Sequence, residues 1–162
     1  MPRWLRLVAC LAVLALAACE RYPRDPERTL SDVQGQTLRV GVAPDPPFVL
    51  LAPGLPPQGP EVALVEAWAQ SLDARVLWIE GAHDDLMADL EAFRLHAVVG
   101  GLDPDTPWKA RVGLSRPFHV HGDGQLHARV LAVPPGENAW LLHFETFVRS
   151  PRAVSLLGPR QP

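Results

Sequence analysis

The stretch LRVGVAPDPPF, residues 38–48, decides the fold. Its first five residues alternate in the manner of a β-strand, and the prolines that follow end that strand in a loop. Prolines recur through residues 43–59, which makes this segment a stiff, irregular connection. We therefore predict a first strand at 38–42 that opens directly into a long loop.

Helices and strands alternate after this loop. The pattern predicts a helix at 60–72 with Pro60 in its first turn, a strand at 75–79, a helix capped by Asp84, and a strand at 97–99 that stops at Gly100-Gly101. Strand–helix–strand–helix–strand is the order of a parallel sheet with right-handed crossovers. The first half of the chain thus predicts an α/β fold.

The second half is less regular. It predicts a helical turn within 106–112, an extended segment at 114–120, a turn at Asp123-Gly124, a strand at 126–133, a helix near 139–149 capped by Asn138, and a flexible tail at 150–162.

The amino terminus has the features of an export signal. Arg3 and Arg6 precede the uncharged residues 7–18, which as a helix would rise about 18 Å, too short for a hydrocarbon core of about 30 Å. The ending LAAC resembles the bacterial lipobox, which implies cleavage before Cys19 and acylation of that residue. We predict a lipoprotein signal peptide at 1–18 and a tether at 19–37; an ordinary secretory peptide is the alternative.

Composition limits the function classes. The 162 residues are 48% hydrophobic, enough for a core, and the formal net charge of −3 does not favour nucleic acid as a partner. Cys10 would be removed with the signal and Cys19 would carry lipid, so no thiol would be left for a disulfide or a cysteine zinc site.

Several motifs in order resemble a bacterial extracellular solute-binding protein of family 3, the receptor component of ABC importers for polar amino acids. They are LRVGV at 38–42, PPF at 46–48, GPEVAL at 59–64, DDL at 84–86, GGL at 100–102, TPWK at 106–109 and LSRPF at 114–118. The resemblance covers about 38–121. Lys109 replaces the usual arginine of the Thr-x-x-Arg motif, and Asp103 replaces the usual Thr or Ser.

Family members fold as two lobes around a cleft, and this chain is too short for both. Only residues 119–125 separate the LSRPF motif from the strand at 126–133, which is similar to the strand that returns to the first lobe. The resemblance implies a single periplasmic-binding-protein-like lobe at 38–149, with a mostly parallel sheet, flanking helices and an antiparallel returning strand. The ends left by the missing lobe would be joined across the Gly-Asp-Gly turn at 122–124.

The resemblance also implies a set of ligand contacts in the loops at the carboxyl ends of the strands. They are Phe48 for apolar packing, Gly101 and Asp103 for hydrogen bonds, Thr106, and Lys109 for a carboxylate. Lysine can hold an anion as a point charge but lacks the bidentate fork of arginine. Asp103 and Lys109 could instead form a surface pair of little consequence, and both interpretations stay open.

Other chemistry finds less support. His119, His121 and His127 invite a metal site, but exposed hairpin histidines are commonplace, and we predict neither a metal nor a cofactor. No spacing of nucleophile, acid and base indicates an enzyme. We expect a non-catalytic lipoprotein on the periplasmic side of the envelope that binds a small polar solute weakly, with an ABC permease as partner. The alternatives are a ligand-free module that binds another envelope protein, or a truncated, degenerate receptor.

Overall fold

The computed structural model describes residues 23–158. Its helices are α1 Thr29–Val33, α2 Pro60–Gln70, α3 His83–Glu91, α4 Asn138–Val148 and α5 Pro151–Leu157. Its strands are β1 Thr37–Val42, β2 Arg75–Glu80, β3 Ala97–Val99, β4 Gly113–Leu114, β5 Phe118–Gly122, β6 Gln125–Arg129 and β7 Ala132–Val133, with one 3₁₀ turn at Pro107–Ala110. The predicted signal peptide, Cys19 and the start of the predicted tether lie outside the described residues.

The main sheet has five strands in the order β2-β1-β3-β7-β4. β1 runs parallel to both β2 and β3, and β7 runs antiparallel to β3 and β4. The predicted mostly parallel α/β sheet with an antiparallel returning strand is therefore confirmed.

Two predicted strands are each divided in the structure. Of 126–133, only Ala132–Val133 joins the sheet; Gln125–Arg129 pairs instead with Phe118–Gly122 in a separate hairpin. The extended segment 114–120 is divided in the same way between β4 and β5. Pro117 lies at this break, and a proline cannot donate a ladder hydrogen bond. The prediction that 126–133 lies wholly in the sheet is thus wrong for β6.

The hairpin turn is the predicted one. Gly122 pairs with Gln125, and the two residues between them, Asp123 and Gly124, have φ values of 52° and 74°. Positive φ at both central residues is the geometry that lets a two-residue turn match the twist of its strands.

Both ends of the lobe extend beyond their predicted limits. α1 lies within the predicted tether, yet Val33 is fully buried in the core. α5 lies within the predicted flexible tail, yet Ala153 is fully buried and the Ser150 hydroxyl accepts a hydrogen bond from the Ala153 N–H. Both segments are held in helices by these apolar contacts and, in α5, by the Ser150 cap. Their composition alone had indicated loops.

Two predicted caps are also wrong. The residue before α3 is Ala82, and Asp84 lies in the first turn, where its charge favours the positive end of the helix dipole without a capping bond. α4 begins at Asn138 itself, after Glu137, and the Glu137 side chain makes no capping bond to it. Pro60 does occupy the first turn of α2, as predicted.

The core lies on both faces of the sheet. On one face, α2 and α4 bring Trp68 within 4.3 Å of Trp140 and 4.9 Å of Phe144, measured between ring centroids. On the other face, α3 packs so closely that a Cβ on Gly41 would lie 3.0 Å from Leu86. No helix within residues 23–158 is long and apolar enough to span a membrane.

Candidate functional site

The loops that follow β1 and β3 meet at the carboxyl edge of the sheet. Gly100 has a φ of 105°, and a Cβ there would lie 2.1 Å from the Ala43 carbonyl oxygen. At Gly101 a Cβ would lie 3.3 Å from the Asp45 carboxyl carbon. The glycine pair therefore permits a backbone approach that larger residues would block.

Glu61, in the first turn of α2, points into this edge and is only 1% exposed. One carboxylate oxygen, Oε2, accepts a hydrogen bond from the Gly100 N–H at 3.0 Å. The other, Oε1, is buried and forms no hydrogen bond to any residue in 23–158. Burial raises the pKa of Glu61 to about 7, although the Gly100 bond and the nearby Arg129 act in the opposite direction.

Arg129, at the end of β6, places its guanidinium against this carboxylate. Its Nε lies 3.3 Å from Glu61 Oε1, and its Nη2 lies 2.9 Å from Asp45 Oδ2. The guanidinium carbon stands 4.5 Å from the centroid of the Phe48 ring. A planar cation is thus held between an aromatic face and two carboxylates. We call Asp45, Phe48 and Glu61 the guanidinium cage.

The hairpin covers the cage. A Cβ on Gly122 would lie 2.3 Å from the Phe48 ring, and the His127 ring packs edge-on against it at 4.9 Å between centroids. His127 Nε2 is buried there and has no hydrogen-bond partner in the described part of the chain. The strand that carries His127 also carries Arg129, so one element provides both the cover and the cation.

The Gly100 peptide is held on both sides. Its N–H donates to Glu61, and its carbonyl oxygen lies 2.7 Å from His83 Nε2 at the start of α3. Two helices on opposite faces of the sheet thus fix the same loop.

The predicted site residues fall into two groups. Phe48 is 3% exposed and lies beneath Arg129, and Gly101 faces Asp45, so both belong to the cage region. Asp103, Thr106 and Lys109 lie farther along the loop after β3. Whether any of the five contacts a solute stays a prediction.

The Asp103 side chain bonds within its own loop. Its Oδ1 accepts a hydrogen bond from the Asp105 N–H at 2.8 Å, as in a local turn. Thr106 is buried, and its N–H donates to the Asp103 carbonyl oxygen. Lys109 is exposed in the 3₁₀ turn and forms no ion pair with Asp103 or any other acid between residues 23 and 158. Lys109 is therefore free to meet an anion.

The three hairpin histidines do not converge. His119 and His121 are exposed on one face of β5, as their spacing predicts. His127 pairs with Val120, so it lies on the opposite, buried face. Within the described range, no group of three His, Cys, Asp or Glu residues could hold a metal ion.

Sequence reasoning missed Asp45, Glu61 and Arg129 as a unit. Glu61 belongs to the GPEVAL motif and Arg129 to the predicted strand at 126–133, but neither pattern indicates that the two side chains are in contact. The one available signal is the single arginine of the mainly apolar segment 126–133, where a charge needs a partner.

Comparisons with known proteins identify the fold. No family model matches this chain, and no curated protein does. The arginine-bound form of domain 1 from TmArgBP, of T. maritima, matches with 23% identity and a TM-score of 0.61 over 70% of this chain and 91% of that chain. A point mutant of the same domain matches with 22% identity and a TM-score of 0.64, over 74% and 95% of the two chains.

Other solute-binding proteins match as well, one of them only in part. An ancestral cationic amino acid solute binding protein is 25% identical, with a TM-score of 0.51 over 56% of this chain and 41% of that one. The L-cystine solute receptor of Neisseria gonorrhoeae, in its unliganded open conformation, is 14% identical with a TM-score of 0.64, over 80% and 93% of the two chains. The class is therefore a periplasmic-binding-protein fold. More particularly, the chain has the fold of one lobe, similar to the isolated domain 1.

Proposed function

We propose that this chain is a single-lobe receptor for a small polar solute such as an amino acid, working with an ABC importer. The observation that carries the proposal is the match along 91–95% of an isolated domain whose structure is described as arginine-bound. A lone lobe of this fold therefore has a precedent for holding an amino acid. The structural neighbours are binding proteins, which supports a non-catalytic role.

Lys109 is the group we assign to the carboxylate of the solute. It is exposed, unpaired among the described residues, and it follows the loop at the carboxyl end of β3, where open α/β sheets bind ligands. The Gly101 backbone and the Thr106 and Asp103 segment would supply further polar contacts. Because one side of the solute stays in water, each ion pair is worth about 1 kcal/mol or less, and we expect affinity no tighter than about millimolar.

Isothermal titration of the purified protein against a panel of polar amino acids tests this proposal. We expect weak binding in the wild type that is lost in Lys109→Ala. The matched control is Arg75→Ala, which removes an exposed cation from the start of β2, at the opposite edge of the sheet. Micromolar binding would contradict the single-lobe affinity argument. No heat with any solute would contradict solute binding and favour the interaction module.

We also propose that Cys19 carries the lipid that anchors the lobe on the periplasmic side of a membrane. The support is the LAAC sequence directly before and at that residue. Cys19→Ala should abolish labelling by a fatty-acid probe and release the protein into the soluble extract, whereas Cys10→Ala should change neither. Labelling that persists in Cys19→Ala would refute the anchor.

A further inference from the structure

The guanidinium cage and the cation that it holds come from three separate parts of the chain. Asp45 and Phe48 come from the loop after β1, Glu61 from the first turn of α2, and the cation from β6. The first three belong to the edge where the fold places its ligands, while Arg129 belongs to the hairpin outside the main sheet. The cation is therefore brought to the edge by a separate element.

The fit between cage and cation is incomplete. Glu61 Oε1 and Arg129 Nε are 3.3 Å apart, yet both atoms are buried and have no hydrogen-bond partner among residues 23–158. A buried ion pair that only supports the fold normally engages its polar atoms, because unpaired ones are costly. Here a buried carboxylate oxygen of the cage faces the Arg129 guanidinium without a hydrogen bond.

We propose that the cage is a binding site for a guanidinium cation, and that Arg129 occupies it as an internal ligand. This inference rests on the proposed function for the identity of the edge as a solute site. A free guanidinium compound, which is not tethered to a strand, can rotate to align with Glu61 Oε1 and still stack on Phe48. It competes with Arg129 and binds when the hairpin lifts.

The chemistry favours guanidinium over other cations. The site offers one flat aromatic face and two carboxylates that lie against two different nitrogens of the cation, which matches the planar fork of guanidinium better than the point charge of an ammonium group. The side chain of Arg129 is 14% exposed, so the site is sheltered enough to strengthen these contacts.

The experiment is to empty the cage. Arg129→Ala is compared with wild type and with the exposed-arginine control Arg75→Ala, by thermal shift and isothermal titration. The probes are guanidinium chloride at about 10 mM against equal sodium chloride, L-arginine, and L-citrulline as the neutral isostere. We expect Arg129→Ala to bind guanidinium and arginine at least about tenfold tighter than wild type does, and not to bind citrulline. Adding Asp45→Asn should reverse this gain.

The outcomes separate the two proposals. If Arg129→Ala shows no response to guanidinium, the cage is not a cation site. If wild type binds arginine as tightly as Arg129→Ala, Arg129 is not a competitor, but solute binding stands. If Arg129→Ala binds guanidinium and no amino acid binds to any variant, the internal ligand stands and the proposed function fails.

The empty cage leaves a buried carboxylate without its counterion, so Arg129→Ala risks unfolding. The second variant, Arg129→Ala with Glu61→Gln, removes that charge and keeps Asp45 and Phe48. It should be stabilised by guanidinium relative to sodium, and absence of that stabilisation in a folded double variant would overturn the proposal.

Discussion

Glu61 and Glu137 are equally buried, each 1% exposed, but they lie in different surroundings. Glu137 precedes α4, where its two carboxylate oxygens accept hydrogen bonds from the N–H groups of Glu27 and Thr29, each at 2.9 Å. Glu61 lies at the carboxyl edge of the sheet, where one oxygen is bonded to Gly100 and the other has no hydrogen bond within the described chain.

The difference shows that the two buried glutamates have different roles. Glu137 supplies acceptors to the start of α1, whose first N–H groups have no partner within the helix. Asp25 does the same in return for α4 by accepting from the Trp140 N–H. This reciprocal capping attaches the segment before β1 to the lobe. At Glu61 the unused acceptor faces a cation and attaches no segment to the lobe. This arrangement is the one expected of the proposed cation-binding site.

The largest expected effect is at Glu137. Glu137→Ala leaves the buried N–H of Thr29 and the partly buried N–H of Glu27 without acceptors, and should lower the free energy of unfolding by about 3 kcal/mol. Urea denaturation followed by the fluorescence of Trp68 and Trp140 measures the loss. Glu66→Ala, at an exposed position in α2, is the control and should change stability by less than about 0.5 kcal/mol. A loss below about 1 kcal/mol would show that the reciprocal capping does not hold this segment.

At Glu61 we expect a substitution to raise the free energy of unfolding rather than to lower it. Because burial raises the pKa of this carboxyl to about 7, its charged form is disfavoured in the native state. Glu61→Gln should therefore raise the free energy of unfolding at pH 8 by about 2 kcal/mol. Urea denaturation at pH 8 measures the change, with Glu66→Gln as the exposed control. A loss of stability on Glu61→Gln would mean that the pair with Arg129 is a net support of the fold.

The sequence predicts the part of the fold in which each element carries its own signal. The three strands β1, β2 and β3 each end close to a proline or glycine, α2 and α3 have helical periods, and all five elements appear near their predicted positions. α1 and α5 were missed because their order comes from contacts with the rest of the lobe. The segment 126–133 is divided because its first part pairs with β5 and its last part pairs with the main sheet. The local sequence pattern does not indicate which of these two partners a residue takes.

The candidate site likewise has residues that the sequence placed and residues that it did not. Motif position brought Phe48 and Gly101 to the correct edge of the sheet. The meeting of Glu61 with Arg129 is a contact between distant parts of the chain, and nothing in the spacing of either residue reports it. Likewise, the Asp103 side chain bonds within its own turn, a choice set by the backbone geometry of that loop.

The smallest expected effect is a stability that hardly changes with pH between 4.5 and 6.5. Burial lowers the pKa of His96 to about 4, so the native state binds fewer protons than the unfolded state in this range, and acidification destabilises. Glu61 has the raised pKa, so acidification through the same range stabilises. Each contribution changes by about 2 kcal/mol from pH 6.5 to 4.5, with opposite sign, and the wild type should vary by less than about 1 kcal/mol.

Single variants separate the two contributions. In Glu61→Gln the Glu61 contribution is gone. The contribution of His96 is left, with one of the same sign from His143, whose pKa burial also lowers, so the free energy of unfolding should fall by about 2 kcal/mol or more from pH 6.5 to 4.5. In His96→Gln it should rise by a similar amount, because the buried carboxyl of Glu61 takes up its proton. Urea denaturation at several pH values measures both slopes. Equal slopes in Glu61→Gln and wild type would show that Glu61 is already ionised at little cost, and the contrast between the two buried glutamates would then rest on hydrogen bonds alone.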